Sequence, residues 1–182
     1  HGLFLIGDFN NWDRNSHPLN RLDFGNWEIK LPPLALHSGS RVKVHVVGND
    51  NVGRDRIPIY IHRAVQDFHT NDFTGEVWRP EKSFEWSDQN FKVDLNSPVL
   101  IYEAHTGMAQ ENGSIGTYRQ FAENILPRIK NCGYNTVQLM AVMEHPYYGS
   151  FGYQVSNFFA VSSRFGTPDD LKYLINEAHI IG

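Results

Sequence analysis

The residues best suited to chemistry sit in one stretch, 144–166, which reads EHPYYGSFGYQVSNFFAVSSRFG. It concentrates Tyr147, Tyr148, Phe151, Tyr153, Phe158, Phe159 and Phe165, with His145, Gln154 and Asn157 among them. Flat aromatic faces beside hydrogen-bonding groups are what a sugar pocket needs. Tyr153 and Gln154, flanked by Gly152, are the binding candidates. Phe158, Phe159 and Phe165 are expected to form a satellite core. The carboxylates have weaker claims. Glu103 falls in a strand, Glu144 opens the loop, and Asp169 and Asp170 suit a helix start by charge. None is assigned as a catalytic acid or nucleophile. His105, His145 and His179 lie far apart, without the spacing of a helical metal pair, so each is read as an ordinary hydrogen-bonding residue. No metal and no organic cofactor is expected.

The elements that must hold this stretch are of the parallel α/β kind. VLIY (99–102) and TVQLMAVM (136–143) are continuous apolar runs, as for strands covered on both faces. Between them, Tyr118, Phe121, Ala122, Ile125, Leu126 and Ile129 recur at helical spacing, with Thr117 as cap and Cys132-Gly133 as the end. Pro127 inside that pattern predicts a kink or split near Leu126. A second helix starts at Thr167 (N-cap), Pro168 (N1) and Asp170 (N3). It buries Leu171, Leu174, Ile175 and Ala178 and ends at Gly182. The 144–166 loop therefore follows the carboxyl end of a parallel strand, where ligands bind in such folds, and it is long for a strand-to-helix connection. Two strand–helix units do not close a sheet by themselves. The expectation is that the chain stops partway through a larger domain.

Residues 1 to about 96 alternate with period two instead. Trp27, Ile29 and Leu31 face one way in NWEIKLP. Val42, Val44 and Val46 alternate with Lys43 and His45, and Phe91, Val93 and Leu95 with Lys92 and Asp94. This predicts an antiparallel β-sandwich. Residues 54–85 are less regular and are expected to wrap over the sandwich or bridge to the next domain. The domains are thus 1–96 and 97–182. Trp27 and Trp78 are assigned to the core, and Asp8 to shaping a turn.

The 182 residues carry a net charge of −4, with 41% hydrophobic and 20% charged residues. No basic cluster stands out, which argues against nucleic acid as a partner. No apolar run is long enough to span a membrane. The single cysteine, Cys132, forms no internal disulfide, which agrees with a reducing, cytoplasmic setting.

The run IYEAHTG … TYRQFAENILPRIKNCGYNTVQLMAVMEHPYYGSFGYQVSNFFAVSSRFGTPDDLKYLINEAHIIG is very similar to the opening of the catalytic barrel in glycogen and starch branching enzymes of the α-amylase superfamily. SFGYQ followed by FFAVSSRFGTPDDL separates these from plain amylases, and Phe151 in place of Trp looks like the eukaryotic-type branch. FLIGDFNNWDR, NWEIKLP and RIPIYIHRAVQD resemble the glycogen-binding module that precedes that barrel.

The resemblance implies an immunoglobulin-like, glycogen-binding β-sandwich followed by the first part of a (β/α)8 TIM barrel. It implies 1,4-α-glucan branching as the activity and glycogen, starch or another α-1,4-glucan as the partner. Tyr153 matches the tyrosine that stacks on the sugar at the cleavage point, and Gln154 follows at the rim of that site. Trp12, in FNNW, matches a glucan-stacking tryptophan of related modules; a half-buried turn residue is the equal alternative. Asn49, Asp50 and Asn51 occupy the region where some modules carry a second stacking tryptophan. The nucleophile and acid/base of the family follow later strands, so they are expected beyond Gly182. A debranching enzyme or other hydrolase of the superfamily, or a non-catalytic glycogen-binding protein, are the alternatives.

Overall fold

The computed structural model describes residues 2–140 and 142–182. The chain divides into two compact units, His1–Glu81 and Lys82–Gly182, and residues 82–96 fall in the second.

The first unit is β-rich and antiparallel. Its strands are β1 (Gly2–Gly7), β2 (Asn20–Arg21), β3 (Trp27–Glu28), β4 (Arg41–Val47), β5 (Gly53–Arg56), β6 (Ala64–Gln66) and β7 (Phe73–Glu76). Five of them form one sheet, in the order β1-β4-β7-β6, with β5 also paired to β4; β2 and β3 make a separate ribbon. Ile6, Leu5, Val42, Ala64 and Val65 are the buried apolar residues. Gly7 is needed where β1 meets β4, because a Cβ there would lie 2.2 Å from the Arg41 carbonyl oxygen.

Two expectations for this unit are corrected. Residues 54–85 do not merely wrap the sheet: they supply β5, β6 and β7. Lys43 and His45 are not solvent-facing either. Lys43 is buried with its ammonium on Asp72, and His45 Nδ1 lies 2.7 Å from Asp55. Both faces of β4 are occupied because ion partners on neighbouring segments make burial of these polar side chains affordable.

The second unit pairs β8 (Ile101–His105) with β9 (Thr136–Met140) in parallel, with Ile101 opposite Thr136 and His105 opposite Met140. The helix between them has three parts: α1 (Tyr118–Gln120), a π-helical turn (Phe121–Ile125) and α2 (Leu126–Asn131). Thr117 and Gln120 cap its start reciprocally, at 3.1 and 3.0 Å. The expected break at Leu126 takes this π form. Pro127 has no N–H to give and its ring crowds the carbonyl four residues back, and a widened turn relieves both. Gly133, at φ 89°, ends α2.

Helix α3 (Pro168–Ile180) begins as expected. Thr167 accepts from the Asp170 N–H at 3.2 Å, and Asp170 accepts from the Thr167 N–H at 2.9 Å. Gly182, one residue past the C-cap, has φ 77°. Tyr118, Phe121, Leu126, Ile129, Phe165 and Leu174 build the core.

FKVDL is not a strand. Phe91 stacks on His179 of α3 at 4.2 Å, while Val93 and Leu95 are exposed. The preceding turn is tied to α3 as well, through Ser87 to Asn176 at 2.8 Å and Asp88 to His179 at 2.6 Å. Side-chain bonds to a helix replace strand pairing here. The run 99–102 is not covered on both faces, since Val99, Leu100, Ile101 and Tyr102 are all exposed.

Replacing Thr167 by Ala removes the α3 cap. The second unit is expected to lose about 1 kcal/mol, read as a lower midpoint in urea denaturation with unchanged slope.

Candidate functional site

The stretch 144–166 is not one loop. Two short strands, β10 (Met143–Glu144) and β11 (Asn157–Val161), pair antiparallel and fence off residues 145–156. That segment projects past the carboxyl ends of β8 and β9. Its fold is set by one buried residue. Glu144 is 0% exposed, and its two carboxylate oxygens accept from the Ser163 N–H at 2.7 Å and the His145 N–H at 3.2 Å. Its main-chain carbonyl accepts from the Ser156 N–H at 2.8 Å and the Ser156 hydroxyl at 3.1 Å. Start, middle and end of the excursion are thus fastened to the same residue. Burial pushes the Glu144 pKa above the ordinary carboxylate range, although these donors oppose the shift.

Inside the fence, Tyr148–Ser150 form a 3-10 turn that ends in two left-handed residues, Phe151 at φ 52° and Gly152 at φ 83°. The reversal presents Tyr153 outward, 76% exposed, with its N–H on the Ser150 carbonyl at 3.0 Å. Gln154 is exposed beside it.

The segment rests on His105, at the end of β8. Its ring meets Tyr148, Phe151 and Phe165 edge-on, at 6.0, 6.0 and 5.6 Å. Burial, then the nearby His145, holds His105 below the ordinary imidazole pKa. Among the described residues, both His105 nitrogens, Thr106 Oγ1, His145 Nε2 and Ser162 Oγ are buried without a partner.

Phe165 is core, as expected, but Phe158 and Phe159 are not: they are 64% and 51% exposed. Among the described strands, β11 pairs with β10 alone.

Trp12 lies in the first unit, half-buried at φ 61°, directly after Asn11 at φ 51°. Its N–H reaches the Gly7 carbonyl at 2.9 Å. Asn10 braces this turn by donating to Leu5 O at 3.1 Å and Asp13 O at 3.2 Å, and by accepting from Gly7 N–H at 3.0 Å. Beyond it, Arg14 donates twice to Asp55, at 3.3 and 2.6 Å. Asp8 shapes the turn by accepting from the Arg41 N–H at 2.9 Å. Trp27 and Trp78 are half-buried.

The arrangement presents ring faces and amides; its carboxylates are engaged elsewhere. Glu103 accepts from Gln138 at 3.1 Å, Asp169 from Lys172 at 2.9 Å, and Asp170 from Thr167 and Arg119. Among the described residues no group of three or more His, Cys, Asp or Glu could hold a metal ion, and no helix is long and apolar enough to cross a membrane. Sequence reasoning missed the Glu144 anchor and the Arg14–Asp55–His45 group. Apart from the adjacent His145 N–H, their partners lie 10 to 41 residues apart, and no local spacing marks such pairs.

Residues 1–61 match the family model for Carbohydrate-binding module 48 (Isoamylase N-terminal domain). Over 98% of its length the chain is 46% identical to the 1,4-alpha-glucan-branching enzyme of Emericella nidulans, and equally to that of Saccharomyces cerevisiae. Over its whole length it is 45% identical to the branching enzyme of Dictyostelium discoideum. It spans 27% of each of these relatives. Solved structures share the fold over the entire chain: a candidate alpha amylase from Salmonella typhimurium (TM-score 0.78, 21% identity, 28% of that chain) and a pullulanase from Paenibacillus barengoltzii (0.73, 17%, 32%).

Two measurements test this geometry. Glu144→Ala strands the Ser163 and His145 N–H groups, and a loss of about 1–3 kcal/mol is expected in denaturant unfolding. Glu144→Gln is expected to lose less but not nothing, because its NH2 would face one of those donors. In the first unit, hydrogen bonds from Arg14, then from His45, hold Asp55 below the ordinary aspartate pKa against the effect of burial. A depressed folded pKa gives stability that is present above about pH 3.9 and lost as pH falls through the folded value. Asp55→Asn should therefore flatten the acid limb of the first unit's stability profile, as measured by denaturant unfolding across the acid range.

Proposed function

We propose that this chain is the front portion of an enzyme that branches α-glucans in the cytoplasm. Its first unit is an immunoglobulin-like β-sandwich that holds glycogen, starch or a related α-1,4-glucan. Within its second unit, the part from about residue 97 opens a (β/α)8 TIM barrel. The observation that carries this reading is identity of 42–46% to branching enzymes along essentially the whole chain. The exposed ring of Tyr153, with Gln154 beside it at the carboxyl end of two parallel strands, supports a sugar site there.

In the reaction, a carboxylate attacks the anomeric carbon of an α-1,4 linkage while a second carboxyl protonates the leaving oxygen. The glycosyl group then passes to the 6-hydroxyl of another glucan, with the second group now acting as base. These carboxylates are expected beyond Gly182. Within this chain, Tyr153 supplies a stacking face for the sugar at the cleavage point, Gln154 hydrogen-bonds at the rim, and Trp12 holds a more distant part of the glucan.

Reading the encoding DNA past Gly182 should reveal further strand–helix units carrying an Asp, Glu and Asp trio. The full-length protein should then lower the iodine colour of amylose and create α-1,6 linkages. Release of reducing ends without new α-1,6 linkages would instead identify a hydrolase. Tyr153→Ala should reduce kcat/KM by about tenfold or more, the scale of one lost stacking contact. Trp12→Ala should weaken retention on glycogen severalfold and leave turnover of short soluble chains unchanged.

A further inference from the structure

A separate cleft of about 250 Å³ opens in the second unit between the segment after β8 and the π turn of the following helix. Its walls carry Thr106, Gln110, Asn112 and Asn124, with Glu111 and Arg128 at the rim and Ile125 on the floor. None of these residues takes part in the Tyr153 site. Three features point to a ligand. Thr106 is 2% exposed, and its hydroxyl has no partner among the described residues. A buried hydroxyl left unpaired costs free energy that a ligand hydroxyl would relieve. Asn124 sits within the π-helical turn Phe121–Ile125, a conformation that recurs at functional sites. The rim is electrically neutral as well, because Arg128 and Glu111 pair at 3.1 Å.

Each of these narrows the ligand chemistry. A neutral wall favours neither anions nor cations. Carboxamides both donate and accept, as sugar hydroxyls do. Gln110 is braced by donation to Ser114 Oγ at 3.1 Å, which leaves its carbonyl oxygen to accept. The apolar floor suits a C–H face. The volume lies just below the roughly 300–1,000 Å³ of sites for drug-sized molecules, so one ring fills it.

We propose that this cleft is a second carbohydrate site, which takes a single neutral hexose unit, such as the end of an α-glucan chain, by hydrogen bonding to Thr106, Gln110 and Asn124. The assignment of a polyol follows from the cleft itself; the choice of an α-glucan rests on the proposed function. The site is suited to a chain end because it is short and lacks an aromatic platform along which a polymer could lie.

The test is hydrogen–deuterium exchange with mass spectrometry on the full-length protein, with maltose as the probe. Saturating maltose should slow exchange in peptides covering 106–128. Asn124→Ala should raise the maltose concentration needed for that protection about fivefold, the loss of one ordinary hydrogen bond, while Tyr153→Ala leaves it unchanged. Asn124 is exposed, so its replacement leaves the fold intact, and unaltered thermal unfolding checks this. Thr106→Val should act in the same direction. Absence of protection over 106–128, or protection that Asn124→Ala does not weaken, overturns the inference. Protection confined to peptides around Trp12 and Tyr153 also overturns it and leaves the branching-enzyme reading intact. Protection over 106–128 in a protein that forms no α-1,6 linkages would keep the sugar site and sink that reading.

Discussion

Two backbone N–H groups, at His145 and Ser163, end on the carboxylate of Glu144 inside the second unit, and the candidate site depends on that arrangement. A chain that leaves a parallel strand, exposes several aromatic rings and returns to start a helix has little regular backbone pairing of its own. Its polar groups still need partners when buried. A carboxylate has two acceptor oxygens, and here both are used on the two ends of one excursion. The cost is desolvation, visible in the raised pKa of Glu144. The return is a tyrosine ring held in the open by a braced turn, where a freely moving loop would have to lose more conformational entropy on binding.

The Trp12 turn solves the same problem with other chemistry. Asn11 and Trp12 both occupy the left-handed region, which costs any residue with a Cβ. The Asn10 amide, bonded on both its oxygen and its nitrogen, holds the chain in that shape. Arg14 then pins the outgoing segment to Asp55 of β5. In both units an aromatic segment with left-handed backbone is stabilised by a polar side chain working against backbone groups. Strain of this kind beside the half-buried Trp12 and the exposed Tyr153 accords with a role in binding, where preorganisation repays it.

Exposed apolar surface is unevenly spread. Val99 to Tyr102 and the pair Phe158–Phe159 stand open on the strands that carry the site. The sequence reads these segments as buried, yet the structure leaves them exposed. The chain spans 27% of the curated relatives it matches.

Much was legible in the residues alone. Thr167, Pro168, Asp170 and Gly182 mark both ends of α3, because capping is local: the groups that bond lie within four residues of one another. The break at Leu126 was legible for the same reason, since a proline acts on its own turn. The parallel units and the aromatic stretch followed from apolar periodicity and composition, and resemblance added the likeness to branching enzymes. Tertiary structure alone decided the rest. It placed FKVDL against α3 through Phe91 and His179 instead of in a sheet, buried Lys43 on Asp72, made Glu144 the anchor of the site, and opened the amide-lined cleft beside the π turn. Each of these depends on contacts beyond a single turn or strand, from the 19 residues between Glu144 and Ser163 to the 91 between Asp88 and His179. Local propensity and periodicity carry no record of such meetings, because they describe what a segment prefers and not which distant partner satisfies its polar groups.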